Sequence, residues 1–357
     1  MASIDTFTKM CYTPIDSKYI KNLVLECNKM IQLISPENNS IISLKTPIQL
    51  EFESDIEANA QIPYWCTRKS NEFGVCSFPA PVHFSWESDE ENNIFSLSDT
   101  IEFDHIIRRI GCTNQCDIYN LLLGKTYYWK VNDSEIRYFT VEMSTPRWLM
   151  VEGTWNVRDI GGYTNLDGKK IKQGMIYRGA ELDGYAEGRV ITDEGRRALR
   201  EDLGIRFDLD LRSSGEVTKK QSPIGDDVKY VNIPSESYGE FIGWKSNTKK
   251  FIEFLTDREN YPMYIHCAVG ADRTGSLILV ICGLLRMTEK DLTEEYEQST
   301  ISFPDGNRTR HEWTFDAVLN QLKPYGDNFH DRIYNYLISC GITEEQINTI
   351  RKIMIED

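Results

Sequence analysis

The residues best placed to do chemistry are contiguous: His266-Cys267-Ala268-Val269-Gly270-Ala271-Asp272-Arg273-Thr274-Gly275. A sulfur nucleophile and a guanidinium stand on one short loop with five residues between them. That spacing lets the intervening backbone N–H groups converge on one centre. The loop runs into an apolar helix, whose unsatisfied amides and positive dipole end face the same centre. A cysteine in such a place loses its proton near neutral pH, since these sites draw thiol pKa values to roughly 3.5–7.5. Arg273 adds a planar fork matched to phosphate oxygens. The chemistry implied is nucleophilic attack on a phosphomonoester.

The flanks must hold that loop. Upstream, Tyr261-Pro262-Met263-Tyr264-Ile265 is a short apolar run opened by proline, which predicts a buried strand. Downstream, Ser276 to Leu285 is almost wholly apolar and too long for an ordinary strand, which predicts a central helix. Gly270 and Gly275 supply the backbone freedom of an anion nest. Strand, loop and helix together are the setting that a phosphate-binding motif requires.

Two further blocks accompany the first: Asn156-Val157-Arg158-Asp159-Ile160-Gly161-Gly162-Tyr163, and Asp210-Leu211-Arg212-Ser213-Ser214-Gly215-Glu216. The main loop resembles the His-Cys-x5-Arg-Ser/Thr signature of cysteine-based protein tyrosine phosphatases. Its Asp-Arg-Thr-Gly ending resembles the bacterial tyrosine and dual-specificity subfamily. The other blocks are similar to that subfamily's Asn-x-Arg-Asp-x-Gly-Gly and Asp-Leu-Arg-Ser-x-x-Glu segments. The resemblance covers residues from ~150 to 357. It implies a mainly parallel sheet flanked by helices, an α/β fold of the protein tyrosine phosphatase kind, and a metal-independent hydrolase without cofactor.

With that resemblance in hand, Cys267 attacks phosphorus and forms a phosphocysteine intermediate. The segment Ala268, Val269, Gly270, Ala271, Asp272 and Arg273 cradles the phosphate, and Arg273 meets the equatorial oxygens in the transition state. Thr274 is placed to stabilise the departing sulfur, and His266 to order the loop. Asp272 is the first choice of general acid, because no aspartate stands in Pro234-Ser235-Glu236-Ser237-Tyr238-Gly239-Glu240. Asp210 and Glu236 are the alternatives. Arg158, Asp159, Arg212 and Asp210 are expected to support the site, with buried ion pairs as their plainer reading. Tyr163, Tyr238, Phe241 and Trp244 are candidate pocket walls.

The expected substrate is a phosphorylated protein carrying phosphotyrosine. A phosphoinositide or inositol phosphate is the alternative, disfavoured because relatives accepting such substrates often carry lysine where this chain has Ala271. A non-catalytic phospho-binding module and a rhodanese-type sulfurtransferase are the remaining readings. Lys219-Lys220 and Lys249-Lys250 read as solvated faces.

The chain has 357 residues, enough for two domains, and a formal net charge of −15. That acidity argues against nucleic-acid and anionic-membrane partners. No run of ~18 apolar residues predicts a transmembrane segment. A thiolate enzyme works only while reduced, which suits the cytoplasm, and Met1-Ala2-Ser3-Ile4-Asp5 lacks a secretory pattern. Among nine cysteines, Cys66, Cys76, Cys112 and Cys116 leave open a zinc site or two disulfides beside ordinary free thiols.

Three regions follow. Residues 1–35 form an N-terminal helical extension, with a stripe at Ile20, Leu23, Val24 and Cys27 continuing to Leu33-Ile34. Residues 36–146 form an all-β sandwich-like domain. Alternation at Ile48/Leu50/Phe52, Val82/Phe84/Trp86 and Trp129/Val131 supports it, and Leu121 to Val131 resembles the late strand of fibronectin type III-like sandwiches. Residues 147–357 form the phosphatase-like domain, with strands near 176–178, 205–211 and 228–233. Its helices are expected from Thr192, Lys249, Thr288 and Thr343.

Overall fold

The structure, a computed structural model, describes residues 31–57, 74–185, 189–217, 220–236, 240–302, 308 and 313–356. Contacts divide the chain into two units, one of them formed by residues 1–40, 83–117 and 126–139. The other comprises 41–82, 118–125 and 140–357.

The first unit is β-rich. Strands β1 (Gln32–Ser35) and β3 (Val82–Glu87) join β6 (Gln115–Ile118) in a three-stranded sheet. Strands β4 (Asn93–Ser98), β5 (Ile106–Cys112), β7 (Thr126–Val131) and β8 (Arg137–Val141) belong to a five-stranded sheet with β2 (Ser40–Ile42), in the order β2-β8-β7-β4-β5. Alternation decides the faces. In β3 Val82, Phe84 and Trp86 are buried, and in β7 Tyr127, Trp129 and Val131. Phe84 meets Phe95, Trp129 and Phe139 at ring-centre distances of 4.6, 5.2 and 5.6 Å, an aromatic layer joining the two sheets. Leu33 and Ile34 are strand rather than helix, because Leu33 pairs with Trp86 across an antiparallel ladder. The helical stripe at Ile20, Leu23, Val24 and Cys27 lies outside the described residues.

A second expectation is corrected in the larger unit. Ile48, Leu50 and Phe52 lie in a helix, α1 (Pro47–Glu57), not a strand. The period that matters is four. Phe52 and Ile56 are buried with Cys76, Trp148 and Ile301, Ile48 packs against them, and Leu50 is exposed.

The six-stranded sheet of this unit contains β9 (Arg147–Trp148), β10 (Arg158–Asp159), β11 (Ile176–Gly179), β12 (Phe207–Asp210), β13 (Lys229–Asn232) and β14 (Met263–His266). Their order is β13-β12-β14-β11-β10-β9. The first four in that order run parallel, and β10 and β9 are antiparallel additions. Both faces are covered, as parallel strands require. Along β14, Met263 and Ile265 enter one apolar cluster while Tyr264 enters another. Helix α4 (Asp272–Leu284) belongs to the first cluster and is buried from Thr274 onward. It packs against α5 (Glu289–Gln298) and α7 (Phe329–Ser339). Thr192 caps α2 (Asp193–Arg197) and Thr288 caps α5, while Thr343 and Gln346 form the expected capping box of α8 (Glu344–Met354). The expected helix near Lys249 is α3 (Lys245–Phe254), and α6 (Trp313–Leu322) precedes α7. No helix among the described residues is long and apolar enough to cross a membrane.

The helical assignment of α1 makes a prediction. Phe52→Ala should cost about 3–5 kcal/mol, whereas Leu50→Ala should stay within about 0.5 kcal/mol. Chemical denaturation followed by tryptophan fluorescence reads both. Comparable losses at both positions would restore the alternating strand.

Candidate active site

Register brings the three sequence blocks together. His266 ends β14 opposite Gly179 of β11 and Asp210 of β12. The loop 267–271 therefore leaves the C-terminal end of a central parallel strand, where open α/β sheets place ligands. Cys267 is buried, and its loop turns through Gly270 at φ 68°. A Cβ on Gly270 would lie 2.2 Å from the Gly179 carbonyl oxygen, so position 270 needs glycine for both conformation and space.

Each carbonyl from His266 to Ala271 is held by a donor. Leu211 N donates to His266 O at 2.8 Å, His266 Nδ1 lies 3.3 Å from Cys267 O, and Glu181 N donates to Ala268 O at 3.1 Å. Asn156 Nδ2 donates to Val269 O at 3.3 Å and to Gly270 O at 3.1 Å. Arg178 Nη2 donates to Gly270 O, and also to Ala271 O at 3.4 Å. In a trans peptide the N–H points opposite to its C=O. Drawing these oxygens outward turns the N–H groups that follow them toward the inside of the loop.

Arg273 is set by Glu216, the last residue of the third block. Its Nη1 and Nη2 donate to Glu216 Oε2 and Oε1 at 2.6 and 2.8 Å. Glu216 is itself fixed by Ser213, whose N and Oγ donate to it at 2.8 and 2.7 Å. The arginine's hydrogen bonds hold the Glu216 carboxyl down at about 2. Thr274 is fully buried, and its hydroxyl finds no hydrogen-bond partner among the described residues.

Asp210 is a fixed anion. Arg212 donates to both of its oxygens, and Tyr230 Oη donates to Oδ2 at 2.9 Å. Burial pushes its pKa up, but His266 and Arg212 outweigh that and hold it below the usual carboxylate range. That environment suits Asp210 to the expected supporting role as a bracing anion. Arg212 also reaches Asp183 at 2.6 Å. Asp272 lies in the first turn of α4, partly exposed, and receives two hydrogen bonds from Arg308, at 2.7 and 2.8 Å. Its partner is thus a guanidinium rather than a loop amide. Glu236 is half-buried.

Of the second block, Arg158 sits one layer behind the loop, donating from Nε to Glu295 Oε1 at 2.9 Å. Asp159 does not reach the loop. It accepts from Gly161 N and Gly174 N and pairs with Arg147 at 3.0 Å, so it braces its own turn. Tyr163 and Phe241 are core residues rather than pocket walls, because both are buried in the cluster around α4. Trp244 is exposed, and Tyr238 lies outside the described residues. Cys112 and Cys116 are free thiols, Cys66 is outside the described residues, and no metal-binding group occurs among those described.

Sequence reasoning passed over Asn156, Arg178, Glu216, Glu295 and Arg308 as contacts of the site. Asn156 and Glu216 stood inside the quoted blocks. Arg178 carried a signal of its own, a charge inside the apolar strand Ile176-Tyr177-Arg178. Nothing local marks Glu295 apart from its acidic neighbours.

His266 generates the prediction here. Its Nε2 lies 3.0 Å from Asp208 Oδ1 and its Nδ1 3.9 Å from Asp210 Oδ1. Burial would neutralise the ring, but Asp210 and Asp208 raise its pKa to about 9. The stabilisation is therefore complete below the ordinary value of 6.5 and is lost as pH rises through about 9. An NMR titration of the imidazole should give a midpoint near the higher value. A midpoint at or below the ordinary value would show that the two aspartates do not hold the charge.

Comparison with known proteins gives matches of several kinds. Of the matching proteins named "Putative tyrosine-protein phosphatase", two mark the range. The one from Cupriavidus necator is 22% identical over 182 residues, covering 43% of this chain and 63% of that protein. The other, OCA1 of Meyerozyma guilliermondii, is 36% identical over 78 residues, 22% of this chain and 40% of that protein. The chain thus spans less than two thirds of the length of these curated relatives. Among solved structures, the core catalytic domain of the PP-IP phosphatase SIW14 from S. cerevisiae aligns at 20% identity and a TM-score of 0.28, covering 42% of this chain and 90% of that one. P. aeruginosa TpbA aligns at 13% identity and a TM-score of 0.33, covering 49% and 91%. A family model described as the tyrosine phosphatase family matches residues 149–356, more than half of the chain and all three sequence blocks. The chain belongs to the tyrosine phosphatase family.

Proposed function

We propose that residues 147–357 hydrolyse phosphomonoesters through a phosphocysteine intermediate, with protein phosphotyrosine as the principal substrate class and phosphoserine or phosphothreonine as a further one. The observation that carries this reading is the pairing of a loop whose carbonyls are all drawn outward with an arginine clamped at its end by Glu216.

Cys267 Sγ attacks phosphorus, and the bond from phosphorus to the leaving oxygen breaks. Asp272 gives that oxygen its proton. Water then attacks the phosphocysteine, Asp272 takes back a proton, and inorganic phosphate and the Cys267 thiolate are released. Loop amides and Arg273 hold the equatorial oxygens throughout. Thr274, with its hydroxyl unpartnered, is suited to donate to sulfur as negative charge returns there. Ala271, at the place where lipid-directed relatives often carry lysine, and the net charge of −15 favour a phosphoprotein over a phosphoinositide. The β-rich unit is read as a fibronectin type III-like module on the strength of its aromatic layer between two sheets. The free thiols Cys112 and Cys116 suit a reducing compartment.

An aryl phosphate assay with chelator present should show turnover in the wild type and a loss of at least about a thousandfold in Cys267→Ser. Turnover surviving that substitution would reject the nucleophile. Binding of phosphopeptide without turnover in the wild type would favour a phospho-binding module. Asp272→Asn should slow poor leaving groups more than good ones. An equal loss on both would remove Asp272 as the acid.

A further inference from the structure

Directly behind the loop, two guanidiniums share one carboxylate. Arg158 and Arg178 are fully buried. Arg158 Nε donates to Glu295 Oε1 at 2.9 Å, and Arg178 Nη1 lies 2.7 Å from each Glu295 oxygen. Two cations and one anion leave the triad with one surplus positive charge. Burying an unmatched charge is costly, and a hydrophobic replacement would be cheaper for stability alone. The surplus is met by dipoles instead. Arg158 donates to Asn156 Oδ1 and, at 2.9 Å, to Glu295 O, while Arg178 donates to Gly270 O and Ala271 O. Asn156 in turn donates from its amide to the Val269 and Gly270 carbonyls. The cationic side of the triad therefore ends on three consecutive peptide units of the phosphate loop, the ones whose N–H groups belong to Gly270, Ala271 and Asp272.

We propose that the Arg158–Glu295–Arg178 triad is a positioning device, which aims these three amides and lends its surplus positive charge to the thiolate and phosphate in front of them. The proposal rests on the reading of Cys267 as the nucleophile. Arg178 is the residue through which both effects pass, because its fork touches Glu295 with one nitrogen and the loop with the other. Burial and the neighbouring Arg178 push Arg158 down to about 10, against the pull of Glu295, which still leaves it charged at neutral pH.

The other titratable and charged groups that face the loop are His266 and Tyr264 on β14, Asp208 and Asp210 on β12, Arg212 and Glu216 after it, and Glu181 and Asp183 after β11. Asp272 and Arg273 on α4 and Arg308 complete the set, with Tyr163, Cys282 and Asp291 beside the triad itself.

The experiment is the pH dependence of iodoacetamide alkylation at Cys267, located by peptide mass, in the full chain. It reads thiol ionisation whether or not turnover occurs. Arg178→Met should raise the alkylation midpoint by about one pH unit, and Glu295→Gln should lower it by a similar amount. Both substitutions disturb the same buried cluster, so a purely structural role would shift the two midpoints in one direction or leave both in place. Either of those results would overturn the proposal. Arg178→Lys, which keeps the charge and loses the fork, should hold the midpoint near wild type while kcat/KM falls at least about tenfold. An unchanged kcat/KM in that variant would overturn the positioning role. If Arg178→Met fails to fold, Glu295→Gln alone reads the charge, and a midpoint that it raises or leaves in place would overturn the proposal. Midpoints that part in opposite directions in an enzyme inactive on aryl phosphates would uphold the triad and reject the proposed reaction.

Discussion

The site depends on one constraint: six consecutive carbonyl oxygens, from His266 to Ala271, must be held away from the loop's centre. Peptide planarity then decides where the amides go. Without those outer partners the carbonyls would turn inward as readily as the N–H groups, and a phosphate would meet repulsion. The donors come from five separate places: Leu211 beyond β12, Glu181 beyond β11, Arg178 on β11, Asn156 before β10, and His266 on β14. The sheet order β12-β14-β11-β10 is what brings them to one point. Fold and chemistry are joined at that point.

The same economy governs the charges. Arg273, Arg212 and His266 are each matched to a carboxylate that fixes their geometry. Glu216 orients Arg273, Asp210 and Asp183 orient Arg212, and Asp208 and Asp210 keep His266 charged. A long exposed arginine would lose rotamer freedom on binding each phosphate. Clamped by two hydrogen bonds, Arg273 has already lost it. The acidic chain as a whole does not contradict an anion site, since the cations and dipoles that matter are local and partly shielded from water.

Much of this was legible in the sequence because covalent spacing alone makes the loop. Cys267, five intervening residues, Arg273 and an apolar helix suffice to place a cysteine and an arginine at a helix N-terminus. The central strand β14 was legible too, since it is buried on both faces and Met263-Tyr264-Ile265 reads as a continuous apolar run. What escaped was long-range. Glu295 lies far along the chain from Arg178, and no local pattern separates it from Glu294. Arg308 is one arginine among many until the fold sets it beside Asp272. The error at Ile48, Leu50 and Phe52 has a local cause, because Ile48 and Phe52, four residues apart, share a face in a strand and in a helix alike. Ile56, one turn beyond Phe52, was the residue that separated them.

The most direct test of the account is amide NMR of the phosphate loop during titration with inorganic phosphate. The backbone N–H resonances of Ala268 to Arg273 should move together with one saturating dissociation constant, and those of Gly270, Ala271 and Asp272 should lose that response in Asn156→Ala. Shifts spread over the surface lysines, with the loop amides unmoved, would contradict it.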